Sequence, residues 1–177
     1  MLKLIMVMAM VVGLGGASLT EAQAAEPMPN VLRHFLQDEL KKTTGGQPEM
    51  DTVVHWATVP LANGGQEFVI LLSGDGWCGT GGCTLFVYEA AGASFKEIGH
   101  SPAVRQPIRV LDTVTNGRPD LGAWRSWSDT QAYETRILFN GRRYLMEKEA
   151  VSKARSKPMA GETLIGETDK GMRLYGD

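Results

Sequence analysis

The chain is poor in cysteine, in net charge and in long apolar runs, and each shortage excludes something. Two cysteines in 177 residues cannot build a disulfide-dense scaffold, so any core must come from ordinary packing. Eighteen basic against 20 acidic side chains leave a formal charge of −2, which gives no general attraction to nucleic acid or anionic lipid. With 43% apolar side chains the composition also rules out disorder, collagen and coiled coil. A chain of this length is expected to fold as one domain.

Residues 1–24 read as a signal peptide. Lys3 supplies a positive start, Leu4 to Leu14 is almost unbroken apolar, and Ala22, Gln23 and Ala24 offer small side chains for cleavage. The apolar run is shorter than the roughly 20 residues of a spanning helix, and no second run follows, so no stable membrane span is expected in the mature chain. Removing the leader takes away Lys3 and Glu21 and leaves the charge at −2. The expected localisation is periplasmic or secreted.

In such an oxidising compartment Cys78 and Cys83 are expected to pair as a disulfide. They enclose Gly79, Thr80, Gly81 and Gly82, a segment able to adopt the positive φ angles of a tight ring. So short a ring removes little entropy from the unfolded chain, and the bond would act mainly on local shape. A redox-active pair and an anion-binding glycine nest are the functional alternatives. The segment lacks the Gly-Lys-Ser/Thr ending of a phosphate loop. Zinc would need two further ligands, and His34, His55 and His100 have no short spacing to the cysteines.

From Asn30 the pattern is helical, with Val31, Leu32, Phe35, Leu36 and Leu40 on one face, Asn30 as the cap, and Gly45 with Gly46 as the stop. Beyond it, β-rich segments are expected at 52–59, 67–72, 84–88, 94–98, 109–114, 121–127, 133–139 and 143–146. Asn63-Gly64, Asn116-Gly117 and Asn140-Gly141 mark hairpins. The expected class is α+β: an N-terminal amphipathic helix packed on a twisted, mainly antiparallel sheet or partial barrel. Residues 25–146 would form this domain. Residues 147–177 read as a polar C-terminal arm, a short helix and loose tail, with Thr163-Leu164-Ile165 as a possible edge strand.

Two segments carry a resemblance. Trp77-Cys78-Gly79-Thr80-Gly81-Gly82-Cys83-Thr84, followed by an apolar strand, is similar to a motif of small exported bacterial proteins that mostly lack an assigned activity. The run from Val110 to Leu121 resembles the Asp-rich turn of FG-GAP or VCBS-type propeller repeats, and Phe139 to Tyr144 resembles the hairpin that follows it. The likeness covers roughly residues 66–146. It implies oxygen ligands for calcium at Asp112, Asn116 and Asp120, yet Val114 stands where another donor belongs. The bland account has Asp112 and Asp120 bonding the turn backbone.

Catalysis finds little support in the residue order. There is no Gly-x-Ser-x-Gly elbow, and Ser126 and Ser128 have no histidine at a suggestive spacing. No cofactor or metal is expected. The candidate binding residues are Trp77, Trp127 and Arg125, types enriched at binding hot spots. The expected function is that of an exported non-enzymatic protein whose disulfide-pinned loop binds another envelope protein or inhibits a secreted hydrolase. The alternatives are an envelope hydrolase using acidic residues near the Asp112–Asp120 turn, with or without calcium, and a purely structural accessory protein.

Overall fold

The structure, a computed structural model, describes residues 27–128, 131–147 and 157–176. The signal peptide expected over 1–24 and the short helix expected soon after Glu147 lie outside the described residues. So do the side chains of Trp127 and Ser128.

Helix α1 (Asn30–Thr43) buries Leu32, Leu36 and Leu40, one residue per turn, which is the apolar stripe that its spacing predicts. Val31, counted on that stripe, is exposed instead. Asn30 is not the cap: Pro29 precedes the first turn, and no side chain caps it. Proline serves at a helix start because an N–H there would lack an intrahelical partner anyway. The Gly45-Gly46 stop is as expected, with the Gly46 N–H donating to the Lys41 carbonyl at 2.7 Å.

The rest of the described chain is strand and turn: β1 (Val53–Pro60), β2 (Gln66–Ser73), β3 (Cys78–Gly79), β4 (Gly82–Ala91), β5 (Ser94–Thr115), β6 (Arg118–Ser128), β7 (Gln131–Phe139), β8 (Tyr144–Met146), β9 (Gly161–Ile165) and β10 (Met172–Arg173). The class is therefore corrected: the protein is mainly β, not α+β. Among the described residues a single 14-residue helix covers one outer face, whereas every segment with β-like alternation has found a partner strand. The expected strands at 94–98 and 109–114 are one strand, β5, of 22 residues. Of the polar arm, residues 157–176 hold no helix. They give β9 and β10, the first matching the edge-strand alternative.

The sheet runs β10-β1-β2-β4-β5-β6-β7-β8 and is antiparallel along this path. It folds back on itself because β5 serves two regions. Its first half pairs with β4, its second half pairs with β6 and β9, and Gly99 bridges in parallel to Tyr144 of β8. The fold-back encloses an inner cluster that includes Val69, Leu71, Val87, Ile98, Ile108, Leu121, Ile137 and Ile165. The outer face of β2 and β4 holds Phe68, Ile70, Leu72, Phe86 and Tyr88, and α1 covers it together with Leu174 and Tyr175. The apolar run from Phe68 to Leu72 is thus buried on both faces, one set against the helix and the other inside the sheet.

Closure depends on a bare backbone at Gly99. A Cβ there would sit 2.8 Å from the Tyr144 Cβ and 3.1 Å from the Val87 Cβ, and neither of those atoms can swing aside. Gly99→Val is expected to lower unfolding free energy by about 1–3 kcal/mol, the usual cost of overpacking a filled core. Urea melts of the two proteins check this, and equal midpoints would show that β8 is not held at this point.

Candidate functional site

On β2 the odd-numbered residues face the inner cluster, so Glu67 and Ser73 lie on one face, about 20 Å apart at 3.3 Å per residue. Each marks a polar end of an otherwise apolar interior. At the Glu67 end, Arg118 bridges two carboxylates: Nη1 pairs with Glu67, and Nη2 lies 2.7 Å from Glu89. The Tyr144 hydroxyl donates to Glu67 Oε2 at 2.7 Å, and the guanidinium stacks 4.3 Å from the Phe139 ring centre. The Arg118 contact holds the Glu89 carboxyl below its ordinary range, and burial beside Glu67 pushes the Tyr144 hydroxyl up. Glu67, Glu89, Arg118 and the Tyr144 hydroxyl all have partners, which is the character of a structural network.

The Ser73 end is open. His55 of β1 pairs in register with Leu71, so Ser73, two residues further along β2, is its diagonal neighbour on the same face. His55 Nε2 lies 3.1 Å from Ser73 Oγ, and Nδ1 lies 2.9 Å from Asp169 Oδ1. A neutral imidazole with its proton on Nδ1 satisfies both contacts, donating to Asp169 and accepting from the serine hydroxyl. Gln106 Nε2 stands 3.5 Å from Nδ1; in this tautomer both are donors, so the contact is not a hydrogen bond.

Asp169 reaches this place through the C-terminal segment. Its Oδ1 also accepts the Gly171 N–H at 2.7 Å, a local turn that Asp favours. Gly171 has φ +61°, and a Cβ there would meet the Val54 carbonyl at 2.8 Å and His55 Nδ1 at 2.9 Å. Only glycine allows the segment to lie this close to β1 before β10 pairs with Val53 and Val54.

The cleft around these groups has a volume of about 390 Å³. Leu71 and Val104 close its floor, the Cys78–Cys83 disulfide and Gly79 form one wall, and Arg105, Gln106 and Glu167 complete the rim. The disulfide is formed as the sequence suggests, across directly paired residues of β3 and β4. Around it the hairpin is tightly held. The Arg105 guanidinium donates to the Thr80 carbonyl at 2.6 Å, and the Thr84 hydroxyl donates to the Trp77 carbonyl at 3.0 Å.

The expected aromatic surface is arranged differently. Trp77 is half-buried, meets Phe86 edge to face, and donates its indole N–H to Thr52 Oγ1 at 2.9 Å, so it braces the hairpin from behind. Arg125 is also engaged, with Nε donating to the Ala103 carbonyl at 3.2 Å. Trp127 belongs to β6, but its side chain lies outside the described residues. The residues that sequence reasoning missed are His55, Ser73 and Asp169. His55 and Ser73 are 18 positions apart and become neighbours only once the β1–β2 register is known. Asp169-Lys170-Gly171 carries a weak turn signal and nothing that points to His55, 114 positions away.

The Asp112–Asp120 turn is structural where it is buried. Asp120 is fully buried, accepts the Thr113 hydroxyl at 2.6 Å, and pairs with Arg136 at 2.7 Å; these are side-chain contacts, where backbone bonds had been the bland expectation. Asp112 points to solvent. Among the described residues no group of three or more His, Cys, Asp or Glu is placed to hold a metal ion.

Burial works against the Asp120 charge, but the bonds from Thr113 and Arg136 outweigh it and hold the carboxyl below its usual value. As pH falls below about 4, unfolded chains take up a proton at this position before folded ones do. Asp120 therefore contributes stability above that pH and loses it as pH drops through the lowered folded value. Urea melts between pH 5 and 2 are expected to show a shallower acid decline for Asp120→Asn than for the native chain. Parallel declines would remove Asp120 from the acid response.

No protein-family model, curated protein or solved structure matches this chain.

Proposed function

We propose that the protein is an exported binding protein whose recognition element is the disulfide-pinned hairpin together with the cleft beside it, and whose partner is another envelope component. The observation that supports this most is the preorganisation of the hairpin. The Cys78–Cys83 bond, the Arg105 bond to the Thr80 carbonyl and the Trp77 brace hold its backbone from three sides. A loop held in this way loses little conformational freedom when a partner docks, so more of the contact energy appears as affinity.

The adjoining cleft lies within the size range of small-ligand sites, which often occupy the mouths of β-barrels. Export is supported by the leader-like residues 1–24 and by a disulfide of the kind that persists in oxidising compartments. No described helix is long and apolar enough to cross a membrane. The acidic-turn hydrolase gains no support, because Asp120 is committed to Arg136 and Thr113.

The exposed tip of the hairpin offers a clean test. Thr80 is exposed, so Thr80→Trp adds bulk at the docking face and leaves the core untouched. Immobilised mature protein is expected to retain a defined envelope component that the Thr80→Trp protein releases, with both showing the same melting temperature. Retention of the same material by both would overturn the hairpin as recognition element.

A further inference from the structure

The binding role does not require the hydrogen-bonded line from Asp169 through His55 to Ser73, yet His55 and Ser73 line the same cleft, with Asp169 behind the imidazole. We infer that the cleft is a site of acyl transfer, in which Ser73 is the nucleophile and His55 its general base toward a carboxylic ester with a short acyl chain. The inference rests on the reading of the cleft as a ligand site and names what that site would take.

Geometry carries the assignment. A serine hydroxyl is a weak nucleophile until a base accepts its proton, and the base works best when a third group fixes its tautomer and orientation. Ser73 Oγ lies 3.1 Å from His55 Nε2, and Asp169 Oδ1 lies 2.9 Å from Nδ1, so each contact is within bonding reach and the two fall on opposite ring nitrogens. A simple latch between β1 and the C-terminal segment would need only the His55–Asp169 contact. The serine on the other nitrogen is what turns the latch into an activated hydroxyl.

Position and access agree. Ser73 ends β2 and is half-exposed, and the chain leaves it through Gly74, so the hydroxyl stands at the lip of the cleft. His55 is buried to 9% side-chain exposure and Asp169 retains 28%, which keeps the base dry and its orienting carboxylate at the edge. The floor is closed by Val104, with no exposure, and Leu71, with 2%, so an acyl chain would find an apolar but shallow seat. Arg105 and Gln106 line the same cleft and carry N–H donors of the kind that stabilise a developing oxyanion, although Arg105 Nη2 already donates to the Thr80 carbonyl.

The chemistry balances without any further reactant but water. Ser73 Oγ bonds to the acyl carbon while its proton passes to His55 Nε2. The bond from that carbon to the alcohol oxygen breaks, and the alcohol leaves with the proton from His55. Water then attacks the acyl-serine, giving a proton to His55, and the acid departs as Ser73 recovers its hydrogen. Asp169 meets the imidazole and the Gly171 N–H but not the reacting atoms, and is a positioning residue.

An aryl fluorophosphonate, which phosphonylates activated serines, tests this on the mature, oxidised protein. Peptide mass analysis is expected to find one adduct, at Ser73, and none in Ser73→Ala. His55→Gln should slow labelling by about 100-fold or more, the usual contribution of a general base. Asp169→Asn should slow it as well, and Asp169→Glu should recover part of the rate, which a merely structural aspartate would not predict. Absence of an adduct in the native protein would overturn the inference. So would equal labelling rates in the native and His55→Gln proteins, provided that both keep the disulfide and the same melting temperature. Titration with ethyl butyrate, followed by backbone NMR, separates the two readings. Shifts at cleft residues without labelling would leave a ligand site and remove acyl transfer, and no shifts would remove both.

Discussion

The fold turns on the close approach of β5 to β8 at Gly99, where two backbones and the Val87 side chain meet with no space for another carbon. A sheet with β5 as a simple meander strand would stay open. Here the 22-residue strand is shared between β4, β6, β8 and β9, so its first half belongs to one wall and its second half to the opposite one. Shifts of register between Arg105 and Ile108, and between Val110 and Val114, accompany the change of partners. The inner apolar cluster exists because of that fold-back, and so do the two polar ends.

The ends differ in how their polar groups are satisfied. At one, Glu67 is wholly buried and would be expensive without compensation, but Arg118 and the Tyr144 hydroxyl meet both of its oxygens. Arg118 carries its charge in a partly buried place; burial alone would weaken its hold on the proton, and Glu89 and Glu67 reverse that. With donors and acceptors matched, the buried groups of this end are committed to one another, although a cleft of about 700 Å³ opens outside them between Glu89, Lys96, Arg118 and Arg142. The other end has a floor of Leu71 and Val104, a rim of polar side chains and a serine half-open to solvent. The same fold thus saturates the buried polar groups at one end and leaves a serine half-open to solvent at the other.

Local pattern made much of the sheet legible in the sequence. Asn63-Gly64, Asn116-Gly117 and Asn140-Gly141 sit at the three expected hairpins, and Asn116 and Gly117 both adopt the positive φ that a tight turn demands. The continuity of β5 is not legible in the sequence, because Pro102 and Pro107 stand between its two halves and proline is tolerated in strands only at edges and irregularities. The class is not legible for a related reason: α1 has a clear period, while β3 and β10, of two residues each, are too short to show one. Trp77 was read from residue type alone, and type does not tell whether an indole faces solvent or braces a turn. Cys78 and Cys83 were legible because their partners are five positions apart.

The candidate site was hidden for a deeper reason. Each of its members is held by a different long-range constraint: His55 and Ser73 by the β1–β2 register, the cleft wall by the disulfide hairpin, and Asp169 by the return of the C-terminal segment to β1. That return depends on Gly171, on the β10 pairing with Val53 and Val54, and on Leu174 and Tyr175 entering the cluster beneath α1. Helix α1 therefore has a role beyond covering the sheet. By sheltering Leu174 and Tyr175 it anchors the segment that presents Asp169 to His55, so packing on the outer face of the sheet reaches the geometry at its open end.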